Sequence, residues 1–179
     1  MRARAALRAA APGELEVIVD DLAFVAAPAL ARPVDARLGA TTALLRRLEL
    51  AGGAALARQL QLAEPLSVGA AVVTGAGDLP AELLVHAVVS SDEERVTRAG
   101  VRRALASALR RAGDFGVEHL ALPPFGLGAG NLAVEESAEV MLDVIRAHLA
   151  SGRAPRRLTV VVERDDEAEA FTVHLSKGQ

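Results

Sequence analysis

The feature that most constrains this chain is a hydrophobic period that switches repeatedly along its length. Short β-branched runs give way to longer stretches whose apolar residues recur at helical spacing, and then the runs return. Leu15-Glu-Val-Ile-Val19, closed by Asp20-Asp21, predicts a strand. Ala29-Leu-Ala31 predicts a second, with Pro33 at its end because proline cannot donate to a sheet ladder. Residues 70–74 and 83–89 predict two more around the Gly/Pro turn at 75–80, and residues 117–122 and 158–162 complete the set. Helices are predicted over 43–50, capped by Thr41 or Thr42 and stopped by Gly52-Gly53, then over 54–62, 101–112 and 134–150. Asp92-Glu-Glu94 and Asp165-Asp-Glu167 both read as solvated helix starts. Strands alternating with helices predict an α/β fold, a three-layer α/β/α sandwich around a largely parallel sheet of about six strands. Residues 14–179 read as one domain and residues 1–13 as a tail or short packed extension.

Composition narrows the function. A formal net charge of −3 gives no broad basic field, so nucleic acid is not an expected partner. No uninterrupted apolar run reaches the ~20 residues of a membrane span, and the Arg-rich start has no apolar segment behind it, so no membrane partner and a cytoplasmic location are expected. The absence of cysteine removes thiolate nucleophiles and Cys-ligated metals together. With 38 alanines and only four aromatic residues, the core must come from close helix packing. The Arg and Ala bias itself reflects a GC-rich genome more than a function.

Most of the chemistry is concentrated in Pro123-Pro-Phe-Gly126-Leu127-Gly128-Ala129-Gly130-Asn131. This loop leaves a buried strand and enters a helix, so its backbone N–H groups and the helix N-terminus can converge on an anion. Two readings stay open at this point: a phosphate cradle, or a tight turn whose glycines only reverse the chain. A dinucleotide-binding fingerprint is set aside, because that loop follows the first strand and this one comes late. His86 and His119 lie inside apolar strands and read as hydrogen-bonded core residues. Glu135 and Glu136 fall in the first turn of the long helix, where the helix dipole favours carboxylates. No nucleophile-elbow constellation is visible.

In this order, the pieces from about Leu15 to Phe171 resemble a macro domain, the ADP-ribose-binding α/β module. Leu120 to Ala138 is similar to the family's second phosphate loop: strand, proline, Gly-rich turn, then a helix opening on paired Glu. Val68 to Val88 is similar to its G-x-A-x-x-T-x-G-x-x-L-P hairpin and the strand after it. Leu15 to Leu22 resembles the strand ending in Gly-Asp-Ile, with Asp20 in place of the glycine. The first loop departs from the pattern. The family's Asn-Ala-Ala-Asn falls on Arg32-Pro33-Val34-Asp35, and its catalytic acid falls on Leu45.

The resemblance implies a mixed, mostly parallel sheet and a cleft for ADP-ribose or an ADP-ribosylated molecule. In it, Asp21 would accept from the adenine amino group, with Leu22 beside it. Residues Gly126 to Asn131 would cradle the diphosphate, and Val34 and Asp35 would face the distal ribose. No metal or organic cofactor is implied. Loss of the positioned acid favours binding with weak or no hydrolysis. An ADP-ribosyl-ester hydrolase using Asp35 as its catalytic group is the alternative, and a scaffold that no longer binds is the third reading.

Overall fold

Side chains that alternate across the strands build apolar cores on both faces of a single sheet, with a smaller cluster of Val34, Ala36, Leu38 and Val88 beside them. On one face Ala29, Ala31, Val85, Ala87, Leu120, Leu122, Val160 and Val162 meet the longer helices; on the other, Leu30, Leu84, Ala121 and Val161 meet the shorter ones. Neighbouring residues of one strand therefore point to opposite cores.

The computed structural model describes residues 7–9, 13–62 and 64–177. The strands are β1 (Leu7–Ala9), β2 (Glu14–Val19), β3 (Ala29–Asp35), β4 (Ala71–Gly75), β5 (Leu83–Ser90), β6 (His119–Leu122) and β7 (Arg157–Val162). The helices are α1 (Ala43–Ala51), α2 (Gly53–Gln59), α3 (Arg98–Asp114), α4 (Val134–Ala150) and α5 (Asp165–Ser176). The sheet order is β1-β2-β7-β6-β3-β5-β4, parallel from β2 to β5 with antiparallel strands at both edges. Helices α3, α4 and α5 cover one face, while α1 and α2 cover the other. This is the mixed, mostly parallel three-layer sandwich expected. The seventh strand, β1, lies in the segment read as a tail or extension, whose residues 1–6 and 10–12 fall outside the described residues. No helix among the described residues is long and apolar enough to cross a membrane.

Helix α3 shows how an alanine-rich chain packs. Its buried residues Val101, Ala104, Leu105, Ala108, Leu109 and Ala112 repeat at helical spacing and form one stripe against the sheet. Thr97 starts the helix by accepting from the Gly100 amide.

Two local expectations are corrected. Pro33 is interior to β3, which runs on to Asp35. The ladder from β3 to β6 stops at Leu30, so beyond that point β3 needs hydrogen bonds on one side only, and a missing N–H is tolerated. Asp92-Glu-Glu94 does not begin a helix. Ser91 Oγ accepts from the Glu93 and Glu94 amides and closes a turn, and α3 starts four residues later.

Candidate functional site

Five parallel strands present their C-terminal ends along one edge of the sheet, where ligands of open α/β folds bind. The edge has a built-in crevice. Strands β3 and β6 pair only through Ala29–Leu120 and Leu30–Ala121 and then separate. The loop after β3 (36–42) and the loop after β6 (123–133) bound this candidate crevice and approach one another where the Thr41 carbonyl lies beside Gly128.

The second wall is the Gly-rich loop. Phe125 and Gly126 are buried and anchor it; Gly128 to Asn131 form an exposed tip. Phe125 is held by its carbonyl, which accepts from Ser137 Oγ at 2.6 Å. Gly126 sits at φ +84°, and a Cβ there would approach Val101 Cγ2 to 2.8 Å. Gly128, at φ +134°, would bring a Cβ to 2.9 Å from Asn131 Nδ2 and 3.5 Å from the Thr41 carbonyl oxygen. Neither position admits a side chain without strain. The loop closes on itself through Asn131 N to Gly128 O and Leu132 N to Gly126 O, both 3.0 Å. The amides of Gly126, Leu127, Gly128, Ala129 and Gly130 have no acceptor among the described residues. They precede α4, where the Glu136 carboxylate takes the Ala133 amide at 3.0 Å and leaves the next amides open.

Asp35 Oδ1 accepts from the Arg37 and Gly39 amides, both at 2.8 Å, and its own N–H donates to Gly39 O. Its Oδ2 accepts no hydrogen bond among the described residues. Asp35 also lines a hollow of about 560 Å³ with residues 65–68 and 90–94. Val34 and Leu45 are buried, Leu45 in the first turn of α1. Beneath the loop lies Arg32, with no solvent exposure. Its Nε donates to His86 Nδ1 (3.0 Å), Nη1 to Glu49 Oε1 (2.6 Å) and Nη2 to Leu38 O (2.9 Å). Burial pulls the Arg32 guanidinium below its ordinary value, and the Glu49 carboxylate pushes back. Burial, and then the charge of Arg32, hold His86 down to about 3, so its ring is neutral. With Nδ1 accepting, the proton sits on Nε2 and is donated to Thr74 Oγ1 at 2.8 Å. His119 bonds Thr159 Oγ1 at 3.0 Å, and burial lowers it too.

At the far end of the edge, Asp21 caps a 3-10 turn at Leu22–Phe24 by accepting from the Ala23 amide at 2.9 Å. Leu22 is buried beneath it, and Phe24 is 75% exposed. The turn packs on α1, whose Arg47 pairs with Glu163 after β7. The sequence assigns no role to Phe24, and to Arg32 only a place in the altered first loop. An aromatic three residues past Asp21, in a chain with only four, was a usable signal for the first; an arginine among nineteen gave none for the second.

The sequence model of the family described as Macro domain matches residues 35–141, more than half of the chain. The chain belongs to the macro domain family. Several relatives extend the likeness along its length. An uncharacterised protein of Mycobacterium tuberculosis is 29% identical over 166 residues, covering 93% of this chain but 46% of that one, so the chain spans less than half of this relative. A Pantoea vagans protein named O-acetyl-ADP-ribose deacetylase 1 is 28% identical over 168 residues, covering 90% of this chain and 96% of that one. Among solved structures, the Oceanobacillus iheyensis macrodomain with ADP superposes with a TM-score of 0.88 at 16% identity, covering 98% and 97% of the two chains. At that identity the likeness concerns the fold. Macro domain architecture thus accounts for every layer of this chain.

Proposed function

We propose that this macro domain binds ADP-ribose or an ADP-ribosylated molecule in the crevice between loops 36–42 and 123–133, with weak or no hydrolytic activity. One observation carries the reading. The five consecutive amides of residues 126–130 have no acceptor among the described residues, and they run up to the N-terminal end of a seventeen-residue helix. Such an array suits a diphosphate, which presents several acceptor oxygens and negative charge together. At the other end of the crevice, Asp21 offers an oxygen to an adenine amino group, with Leu22 beneath it and Phe24 exposed for stacking. Asp35 faces the distal ribose in this reading, with Oδ2 open to it; Val34, expected beside it, is fully buried in the apolar cluster behind the loop and offers the ligand no surface.

Weak hydrolysis follows from the first wall. Leu45 replaces the acid of hydrolytic family members and is 1% exposed, so no carboxylate stands there. Asp35 has one oxygen committed to two amides and only Oδ2 left for a ribose hydroxyl or water. That remaining oxygen, with the named deacetylase among the relatives, supports the alternative of an ester hydrolase.

Calorimetric titration of ADP-ribose into the wild type and Asp21→Ala tests the proposal. Saturable binding is expected, weakened at least about tenfold in the variant, equivalent to about 1.4 kcal/mol. No heat with the wild type, or equal affinities, would refute it. Turnover of O-acetyl-ADP-ribose that is lost in Asp35→Ala would favour the hydrolase instead.

A further inference from the structure

Arg32 places a full charge where no part of it meets solvent, and spends each guanidinium nitrogen on a different element. Nε serves His86 on β5, Nη1 serves Glu49 on α1, and Nη2 serves the Leu38 carbonyl in loop 36–42. A buried ion pair is a poor way to gain stability, because an apolar side chain of similar volume often does as well. What it supplies is geometry: a rigid fork of donors that accepts one arrangement of its partners.

The loop served by that fork is unusual in itself. Leu38 has φ +66°, a conformation that a leucine adopts only when its surroundings enforce it. Its N–H donates to Asp35 O, its carbonyl is held by Arg32, and its side chain is buried. From there the chain bridges Ala40 to Val34, passes Thr41 opposite Gly128, and enters α1, whose Glu49 returns to Arg32. Strand, loop and helix thus form a ring closed through one side chain. His86 completes the support from behind: its Nδ1 lone pair takes Nε, and its Nε2 proton goes to Thr74, whose hydroxyl passes a hydrogen bond on to Gly75 O.

We propose that Arg32 is a positioning residue that sets the conformation of loop 36–42, and through it the wall that faces the Gly-rich loop across the crevice. Its role in ligand affinity rests on the reading of that crevice as the ADP-ribose site; its role in loop conformation does not. No atom of Arg32 reaches solvent. It acts through the Leu38 carbonyl and through Glu49.

The test compares wild type, Arg32→Lys and Glu49→Ala. Lysine keeps the charge but cannot bond His86, Glu49 and Leu38 at once, and Glu49→Ala opens the ring at a partly exposed position. Amide hydrogen exchange without ligand is the first readout, at a temperature where all three chains are folded. The expected result is at least tenfold faster exchange within residues 36–42 in both variants, with β6 and β7 unchanged. Unchanged exchange in 36–42, or a uniform loss of protection across the sheet, would overturn the proposal. If Arg32→Lys does not fold, Glu49→Ala alone decides by the same criteria. Titration with ADP-ribose is the second readout, with tenfold weaker binding expected in the variants. Equal affinity despite a loosened loop would overturn the effect on the site. If the wild type binds no ADP-ribose, the binding proposal fails, and exchange alone judges whether Arg32 sets the loop.

Discussion

Acidification should unfold this chain through a residue that never contacts ligand. His86 is wholly buried and neutral, faced by Arg32 from β3 and Thr74 from β4, with Glu49 of α1 one hydrogen bond away. The folded chain takes up that proton only near pH 3, whereas the unfolded chain takes it up near the ordinary 6.5. Between those values the unfolded state binds one more proton, so stability falls as pH drops, by about 1.4 kcal/mol per unit once the unfolded histidine is fully charged. From pH 7 to pH 5 the loss from this one group is about 2 kcal/mol, a sizeable part of a typical domain's ~5–15 kcal/mol. Urea denaturation at pH 7, 6 and 5 would measure it in the wild type and His86→Asn, whose amide oxygen replaces Nδ1 as the acceptor for Arg32. Carboxylates and the other histidines act in both chains and cancel in the difference. The wild type should lose about 2 kcal/mol more than the variant over this range. Parallel pH profiles would refute the reasoning.

Restoring an acid at position 45 should not restore hydrolysis. Leu45→Asp would bury a carboxylate at a position 1% exposed, and a loss of about 3 kcal/mol or more in urea denaturation is expected, with no gain in O-acetyl-ADP-ribose turnover. A stable, active variant would mean that the first wall can rearrange. Gly126→Ala should cost about 1–3 kcal/mol in the same assay, because its Cβ would meet Val101 at 2.8 Å with φ at +84°. An unchanged midpoint would show that the loop is less tightly anchored than its contacts indicate.

The layers of this fold were legible because its strands are short and β-branched and its helices carry broken apolar stripes. Val160 to Val162 and Ala104 to Ala112 could hardly form anything else, and the two core faces follow from simple alternation. Pro33 was misplaced because the rule excluding proline from sheets is really a rule about needed hydrogen bonds, and β3 has a side without them. Asp92 to Glu94 misled because acidic runs serve turns and helix starts equally, and Ser91 decides between the two only in three dimensions. The Gly-rich loop could be located by its spacing, but whether its amides were free or used internally depended on hydrogen bonds no pattern encodes. Arg32 was least legible of all. A lone arginine in a sequence reads as surface, and its burial depends on Glu49 and His86, which are 17 and 54 residues away.

The most direct test follows the backbone amides of residues 126–130 by nitrogen-15 NMR as ADP-ribose is added to the labelled protein. Saturable shifts concentrated on these five resonances, with smaller ones at Asp21 and Leu22, are predicted. If those five stay still while ADP-ribose binds, or if they move no more than amides of β4 on the far edge of the sheet, the Gly-rich loop is not the diphosphate cradle.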